Sequence, residues 1–335
     1  MRTLNNHSHS STGSDQQRGG SSVHTVHIPV LLQEVLDNLQ ENLTVHTGAI
    51  VLDATLGGGG HAVAIAKIIG SSGTLIGIDA DSVALKRAEH HLIERLQSGE
   101  EPTLHLVQDN FRNLDSVLDT LNIKELDAAL FDLGFSSDQL EISGRGFTFQ
   151  NDEPLTMTLS DIVGEETLTA KEIVNDWQEE NIADIIYGYG GERYSRRIAK
   201  AIVEARVEVE ITTTEQLVEI IKTAVPNGYR NGRTNPATKT FQALRITVND
   251  ELGAAKEALE KVMDYLKPGG KIAIITFHSL EDRLVKKLFK QWKAENKGII
   301  ITKKPITPTN EEIRDNKRAR SSKLRVFQKE DNNKK

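Results

Sequence analysis

From Val30 onward the apolar positions of the chain change period again and again. "VLLQEVLDNL" (30–39) sets Leu31, Leu32, Val35, Leu36 and Leu39 at intervals of three and four, the spacing of one helix face. "AIVLDA" (49–54) is instead a short continuous apolar run that reads as a buried strand. A glycine turn and a helix follow, then the strand "TLIGID" (74–79), a helix from Ser82, the strand "TLHLVQ" (103–108), a helix over "FRNLDSVLDTL" (111–121) and the strand "LDAALFD" (126–132). Strands that are apolar throughout and separated by helices predict a parallel sheet covered on both faces.

The rhythm stops between Gly144 and Asn235. "AKEIVNDWQEENIADIIYGYG", "RRIAKAIVEAR" and "TTEQLVEIIKTAV" have helical spacing, "PNGYRNGRTNP" is rich in turn residues, and no strand pattern occurs, which predicts an inserted helical unit. The α/β rhythm resumes with a helix from Val248 to Leu266, the strand "KIAIITF", a helix over "LEDRLVKKLFKQW" and two last strands, "GIIITKK" and "SKLRVFQ". The expected architecture is a seven-stranded α/β sheet ending in a hairpin-like pair. Its parts are a disordered tail (1–22), a first catalytic-domain part (23–143), the helical insertion (144–240) and a second part with a basic C-terminal segment (241–335). The tail is Ser-, Gly-, Asn- and His-rich and holds too little apolar surface to offset the entropy of ordering.

Composition narrows the chemistry. The 335 residues are 38% hydrophobic, enough for an ordinary core. The absence of cysteine rules out disulfides, thiolate metal sites and a cysteine nucleophile. No apolar run is long enough for a bilayer, and the start of the chain lacks the apolar core of a signal peptide, so the expected location is cytoplasmic. No His or carboxylate spacing suggests a metal site. The net charge of −7 hides a division: Arg283 to Arg325 carries 14 Lys/Arg against 4 Asp/Glu, a basic segment on an acidic body. A second basic feature is "GERYSRRIAKAIVEAR", where Arg193, Arg196, Arg197 and Lys200 share one helix side and Ile198, Ala201, Ile202 and Ala205 the other. A one-sided basic helix fits phosphate contact, although a solvated face has the same pattern. With 5% aromatic residues, a platform stacking many bases is not expected.

"VLDATLGGGGHAVAIA" (51–66) places an acid and four glycines between a strand and a helix, where backbone N–H groups and the helix end favour an anionic or nucleotide ligand. It is no P-loop, since no Lys-Ser or Lys-Thr follows, and it has only the first two glycines of a dinucleotide fingerprint. Asp79, at the tip of the second strand, is placed for a ribose diol. Asp53, ahead of the glycines, suits the cationic amino-acid end of S-adenosylmethionine better than it suits NAD.

Together with "FDLGFSSDQL", "HIPVLLQEV", "GRGFTF", "ERYSRRIAKAIV", "NPATKTFQALRITVNDEL", "ITFHSLEDRLVK" and "PTNEEIRDNKRARSSKLRV", these blocks resemble the bacterial 16S ribosomal RNA cytosine-N4 methyltransferase family, in order, from about His27 to Phe327. The resemblance implies a class I methyltransferase with a Rossmann-like seven-stranded sheet and an inserted helical domain. It implies S-adenosylmethionine as donor and, as substrate, a decoding-centre cytosine of the small ribosomal subunit. By motif position it puts cofactor contacts on Gly59, Gly60, His61, Asp79, Phe111, Asp132 and Gln139. Phe111 could cover the adenine or plug the core. RNA contacts are expected from Arg193, Arg196, Arg197, Lys200, Arg318 and Arg320, and a homodimer is left open.

The chemistry asks for an acceptor at the tip of the fourth strand. The N4 lone pair of cytosine is delocalised into the ring, so the amine attacks only as an acceptor draws on its protons. Asp132 is the best-placed carboxylate. It could instead orient the methionine end, leaving backbone carbonyls or Ser136 and Ser137 to meet the amine. The family's usual "PLDMRMD" is here "PLTMTLS", so Thr156, Thr158 and Ser160 replace two acids and a base, and Asn235 and Lys239 stand where His and Arg are typical. A small-molecule methyltransferase, or a non-catalytic RNA-binding protein on the same scaffold, are the competing readings. The first would not need the basic surfaces, and the second would not bind the cofactor.

Overall fold

The computed structural model describes residues 29–44, 48–99, 101–134, 143–162, 164 and 166–331. The tail 1–22 and three expected site residues, Ser136, Ser137 and Gln139, lie outside the described residues. Seven strands, β1 (Ile50–Asp53), β2 (Thr74–Asp79), β3 (Thr103–Gln108), β4 (Leu126–Asp132), β5 (Leu266–Thr276), β6 (Gly298–Ile300) and β7 (Lys323–Lys329), form one sheet in the order β3-β2-β1-β4-β5-β7-β6. The first five run parallel, and β7 is antiparallel to both β5 and β6. The chain winds outward from β1 to β3, then crosses back to place β4 on the other side of β1. That reversal opens a crevice beyond the carboxyl ends of β1 and β4, where doubly wound sheets bind ligands.

Successive side chains of a strand point to opposite faces, and this divides the core. Val51, Leu75, Leu130 and Ile275 meet Val35, Leu39, Ile65 and Leu92 of the helices Leu32–Thr44, Gly60–Ile69 and Ser82–Arg95. Leu52, Ile76, Phe131 and Ile274 meet Leu118, Leu259 and Trp292 of the helices Leu114–Thr120, Glu251–Tyr265 and Ser279–Ala294 on the other face. A third cluster, from Phe147 to Leu244, joins the helices Ala170–Asp176, Glu179–Gly188, Ser195–Glu208, Thr214–Ala224 and Thr238–Asn249.

Four boundaries differ from the sequence reading. The helix expected from Val248 to Leu266 runs over Glu251–Tyr265, and Asp250, whose φ is 43°, separates it from a preceding helix, Thr238–Asn249. Asn249 makes the break productive: its amide donates to the Met157 carbonyl (2.8 Å) and accepts from the Leu159 N–H (2.8 Å), tying the joint to a chain segment 90 residues away in sequence. The continuous pattern 170–190 is likewise interrupted between Asp176 and Glu179. β5 starts at Leu266 and takes in the Lys-Pro-Gly-Gly that reads as a turn, with a register shift against β4 between Leu126 and Ala128. β6 is only three residues long.

Candidate active site

The glycine turn is built around Asp79. Gly57 (φ 52°) and Gly59 (φ 77°) adopt left-handed backbone, and a β-carbon on Gly59 would lie 3.0 Å from Ala88, so the turn rests directly on the helix Ser82–Arg95. The Gly57 N–H donates to Asp79 Oδ2 (2.8 Å) and the Asp81 N–H to Asp79 Oδ1 (2.9 Å). His91 Nδ1 lies 2.8 Å from the Gly58 carbonyl, which can only accept, so this nitrogen carries the proton. His91 drew no notice in the sequence because nothing in its local pattern points to a turn 33 residues earlier.

Three carboxylates, Asp53 buried and Asp79 and Asp132 partly so, meet at the strand tips. Burial pushes Asp53 up to about 7, with Asp79 adding to the rise and the Thr55 N–H opposing it. Burial raises Asp79 to about 6, limited by the hydrogen bonds from Asp81 and Gly57. Asp132 goes furthest, to about 8, through burial and then the charges of Asp53 and Glu281. Its Oδ1 is buried without a hydrogen-bond partner among the described residues. His61, expected as a cofactor contact, is 5% exposed: Nε2 lies 3.0 Å from the Val30 carbonyl and Nδ1 3.7 Å from Asp132 Oδ2. Clustered carboxyls driven towards neutrality fit a ligand that brings positive charge and hydroxyl donors, as S-adenosylmethionine does.

A cavity of about 840 Å³ opens over them, lined by Gly57, Gly58, Gly60, His61, Asp79 and Asp132, with Asn110 and Phe111 beyond. Phe111 packs at 84° to the Phe131 ring and also lines the cavity. Gly59 supports the turn without lining the cavity. The far wall comes from the insertion, with Phe147, Phe149, Phe241 and Gln242, and from Phe277 and His278 after β5. None of these was singled out from the sequence, because only folding brings 147–149 and 241–242 to the tip of β4. "GRGFTF" and "ITFHSL" were the available signals.

The basic residues are divided. Arg196, Arg197 and Lys200 are exposed on the helix Ser195–Glu208, opposite buried Ile198 and Ile202, and Arg196 and Lys200 have exposed ion pairs with Asp184 and Glu204. Arg193 precedes the helix and stacks on the rings of Tyr194 (4.7 Å) and Tyr229 (5.2 Å). Lys239 is half-exposed, with Nζ 3.2 Å from the Gly191 carbonyl and 3.8 Å from Glu192. Arg318 lines the cavity beside Lys317 and Arg314, while Arg320 is exposed. Arg325 is buried against Asp282, so part of the basic run serves the fold.

Of the departures at 156–160, Thr158 is buried with Oγ1 unpartnered, and Ser160 Oγ accepts from the Ile162 N–H. The neighbouring Asp161 accepts from both the N–H and the hydroxyl of Ser82. Folding also gathers Glu251, His278 and Glu281, whose ligand-type atoms lie within 4.8 Å of one another, a grouping that sequence spacing did not show. Arg245 holds Glu251 through two hydrogen bonds (2.8 and 3.0 Å), and His278 caps the helix carrying Glu281. Both segments are helix starts, whose field favours anions over a cation. The grouping is a charge-compensated joint.

The sheet order, the glycine turn with its acidic strand tips and the cavity at the switch point define a class I S-adenosylmethionine-dependent methyltransferase. A family model described as the MraW methylase family matches residues 24–330, and the chain belongs to that family. It is 42% identical to ribosomal RNA small subunit methyltransferase H of Brevibacillus brevis over 318 residues, 90% of this chain and 98% of that protein. Its counterpart in Acetivibrio thermocellus is 44% identical with the same coverage. A solved structure titled as a rRNA methylase from Streptococcus thermophilus is a distant likeness, 15% identical, with a TM-score of 0.43 over 90% of this chain and 98% of that one.

Proposed function

We propose that the protein methylates the exocyclic N4 amine of a decoding-centre cytosine in 16S ribosomal RNA of the small subunit. The observation that carries this reading is Asp132 at the tip of β4, whose Oδ1 is buried and has no partner among the described residues, in a cavity shared by the glycine turn and the aromatic residues Phe147, Phe149 and Phe241. The names of the relatives support small-subunit ribosomal RNA as substrate class. S-adenosylmethionine supplies a methyl group on a sulfonium, already activated for in-line displacement.

Asp79 and the glycine turn would hold the ribose and Phe111 the adenine, while Asp53, buried behind the cavity wall, would favour the cationic end through its charge. Asp132 Oδ1 accepts a hydrogen bond from the cytosine N4–H, which frees the nitrogen lone pair as the N–C bond forms, and then takes the proton that the methylated amine releases. Phe147, Phe149 and Phe241 wall the place of a base removed from its stack. Arg196, Arg197, Lys200 and Arg320 would meet backbone phosphates, with Arg318 and Lys317 at the cavity.

The test is methyl transfer to small subunits from cells lacking the enzyme, with nucleoside analysis of the product. N4-methylcytidine at one site is expected, and Asp132→Asn should lower turnover at least a hundredfold with little change in subunit affinity. Methyl on another atom, or near-normal turnover of the variant, overturns the reading.

A further inference from the structure

We propose that His61 is a positioning residue: its imidazole holds the proton that the Asp132 carboxyl would otherwise keep, so that Asp132 stays a hydrogen-bond acceptor. The inference rests on the reading that Asp132 faces the substrate amine. His61 Nε2 lies 3.0 Å from the Val30 carbonyl. A carbonyl oxygen only accepts, so Nε2 carries a hydrogen and the tautomer is fixed. The other nitrogen, Nδ1, faces Asp132 Oδ2 at 3.7 Å. One proton shared by this pair has two placements: on the carboxyl beside a neutral ring, or on Nδ1 beside a carboxylate. Only the second leaves both carboxylate oxygens as acceptors, with Oδ1, which has no partner among the described residues, free for an amine.

The surroundings weigh on the choice from several sides. Asp53 from β1 and Glu281 from the helix Ser279–Ala294 both oppose a charge on Asp132, and Asp79 acts on it only through Asp53. Arg318 and Lys317 lie on the same cavity from the turn Lys317–Ser321, as does His278 beside Glu281. The start of the helix Gly60–Ile69 opposes a cation on His61. That effect is partial charge at a helix end, whereas the carboxylate is a full charge at 3.7 Å with both side chains largely out of water (6% and 19% exposed), so the ion pair prevails. When the amine gives up its proton, Asp132 takes it and passes it to solvent; His61 keeps its own throughout.

His61→Gln tests this, because the glutamine amide still donates to Val30 but cannot hold a second proton. In single-turnover methylation of small subunits, the acid limb of the rate should move up by at least one pH unit, a loss of tenfold or more at pH 7 that recovers by pH 9. A readout independent of activity is the ring titration of His61 by NMR in the full-length protein, assigned through its bonds: Asp132→Asn should lower its midpoint by at least half a unit. An equal loss at every pH in the glutamine variant, or a midpoint indifferent to Asp132→Asn, overturns the inference. If Asp132→Asn is inactive while His61→Gln keeps the wild-type profile, the inference alone fails. If Asp132→Asn turns over normally, the reading of Asp132 fails with it. The NMR arm needs no His61 variant, so misfolding of His61→Gln does not leave the question open.

Discussion

Asp79 already accepts two backbone N–H bonds that set the shape of the glycine turn, so its removal costs the turn as well as the ribose contact proposed for it. Asp79→Ala should weaken S-adenosylmethionine binding by about 1–3 kcal/mol, as measured by calorimetry; unchanged affinity in a folded variant would mean the ribose is held elsewhere. The carboxyl cluster makes a second, pH-dependent prediction. Asp79 and Asp53 sit at about 6 and 7, above the ordinary 3.8 that they regain on unfolding. A group with a raised folded value stabilises the fold fully below its unfolded value and loses that contribution as pH rises through the folded one. The melting temperature of the ligand-free protein should therefore fall from about pH 4 to 7 and level off above that range. Asp53→Asn should flatten the fall, and saturating S-adenosylmethionine should reduce it. A pH-independent melting curve in this range would show that the cluster is compensated in another way.

At the scale of elements, the turn between β1 and the helix Gly60–Ile69 depends on backbone that only glycine adopts without strain. Gly59→Ala must hold a φ of 77° with a β-carbon 3.0 Å from Ala88, so it should cost about 1–3 kcal/mol of stability in denaturant titration and weaken cofactor binding as the turn shifts. The helix Ser195–Glu208 makes a prediction of the opposite kind. Its basic side is solvent-exposed and its apolar side packs, so Arg196→Ala with Arg197→Ala should leave folding and cofactor affinity intact. Subunit binding should weaken, and each lost phosphate contact should flatten the log–log salt dependence by about 0.7–0.9. If affinity and slope are both unchanged, the RNA docks on another surface. The βα alternation and this helix were legible because they obey local periods. The break at Asp250 was not, since an Asn–Asp pair carries no strong stop signal and the joint is fixed by Met157 and Leu159 from elsewhere in the chain.

At the scale of the whole molecule, the insertion and the cofactor half are joined by buried charge. Arg145 bridges Asp81 and the Leu159 carbonyl, with the two charged side chains 14% and 7% exposed. Arg145→Ala leaves a buried carboxylate unpaired and should cost about 3–5 kcal/mol in denaturant titration. It should also weaken cofactor binding, because Asp81 donates its N–H to Asp79. A loss below about 1 kcal/mol would show that the two halves are held together by other contacts. No helix among the described residues is long and apolar enough to cross a membrane.

The sequence by itself determined the sheet, the glycine turn, the acids at three strand tips and the basic side of one helix. Each is written in neighbouring residues, through a two- or four-residue period or a turn that needs glycine. It also carried the family, in blocks spread along nearly the whole chain. Folding alone sets that His61 is buried against Asp132, that Arg145 clamps Asp81, that Phe147, Phe149 and Phe241 line the cavity with the glycine turn, and that Arg325 is spent on an internal pair. Those facts depend on residues between about 50 and 190 positions apart, brought together when apolar faces close. Local spacing says which side of an element is polar, whereas the partner of a buried charge is set by what packs opposite it.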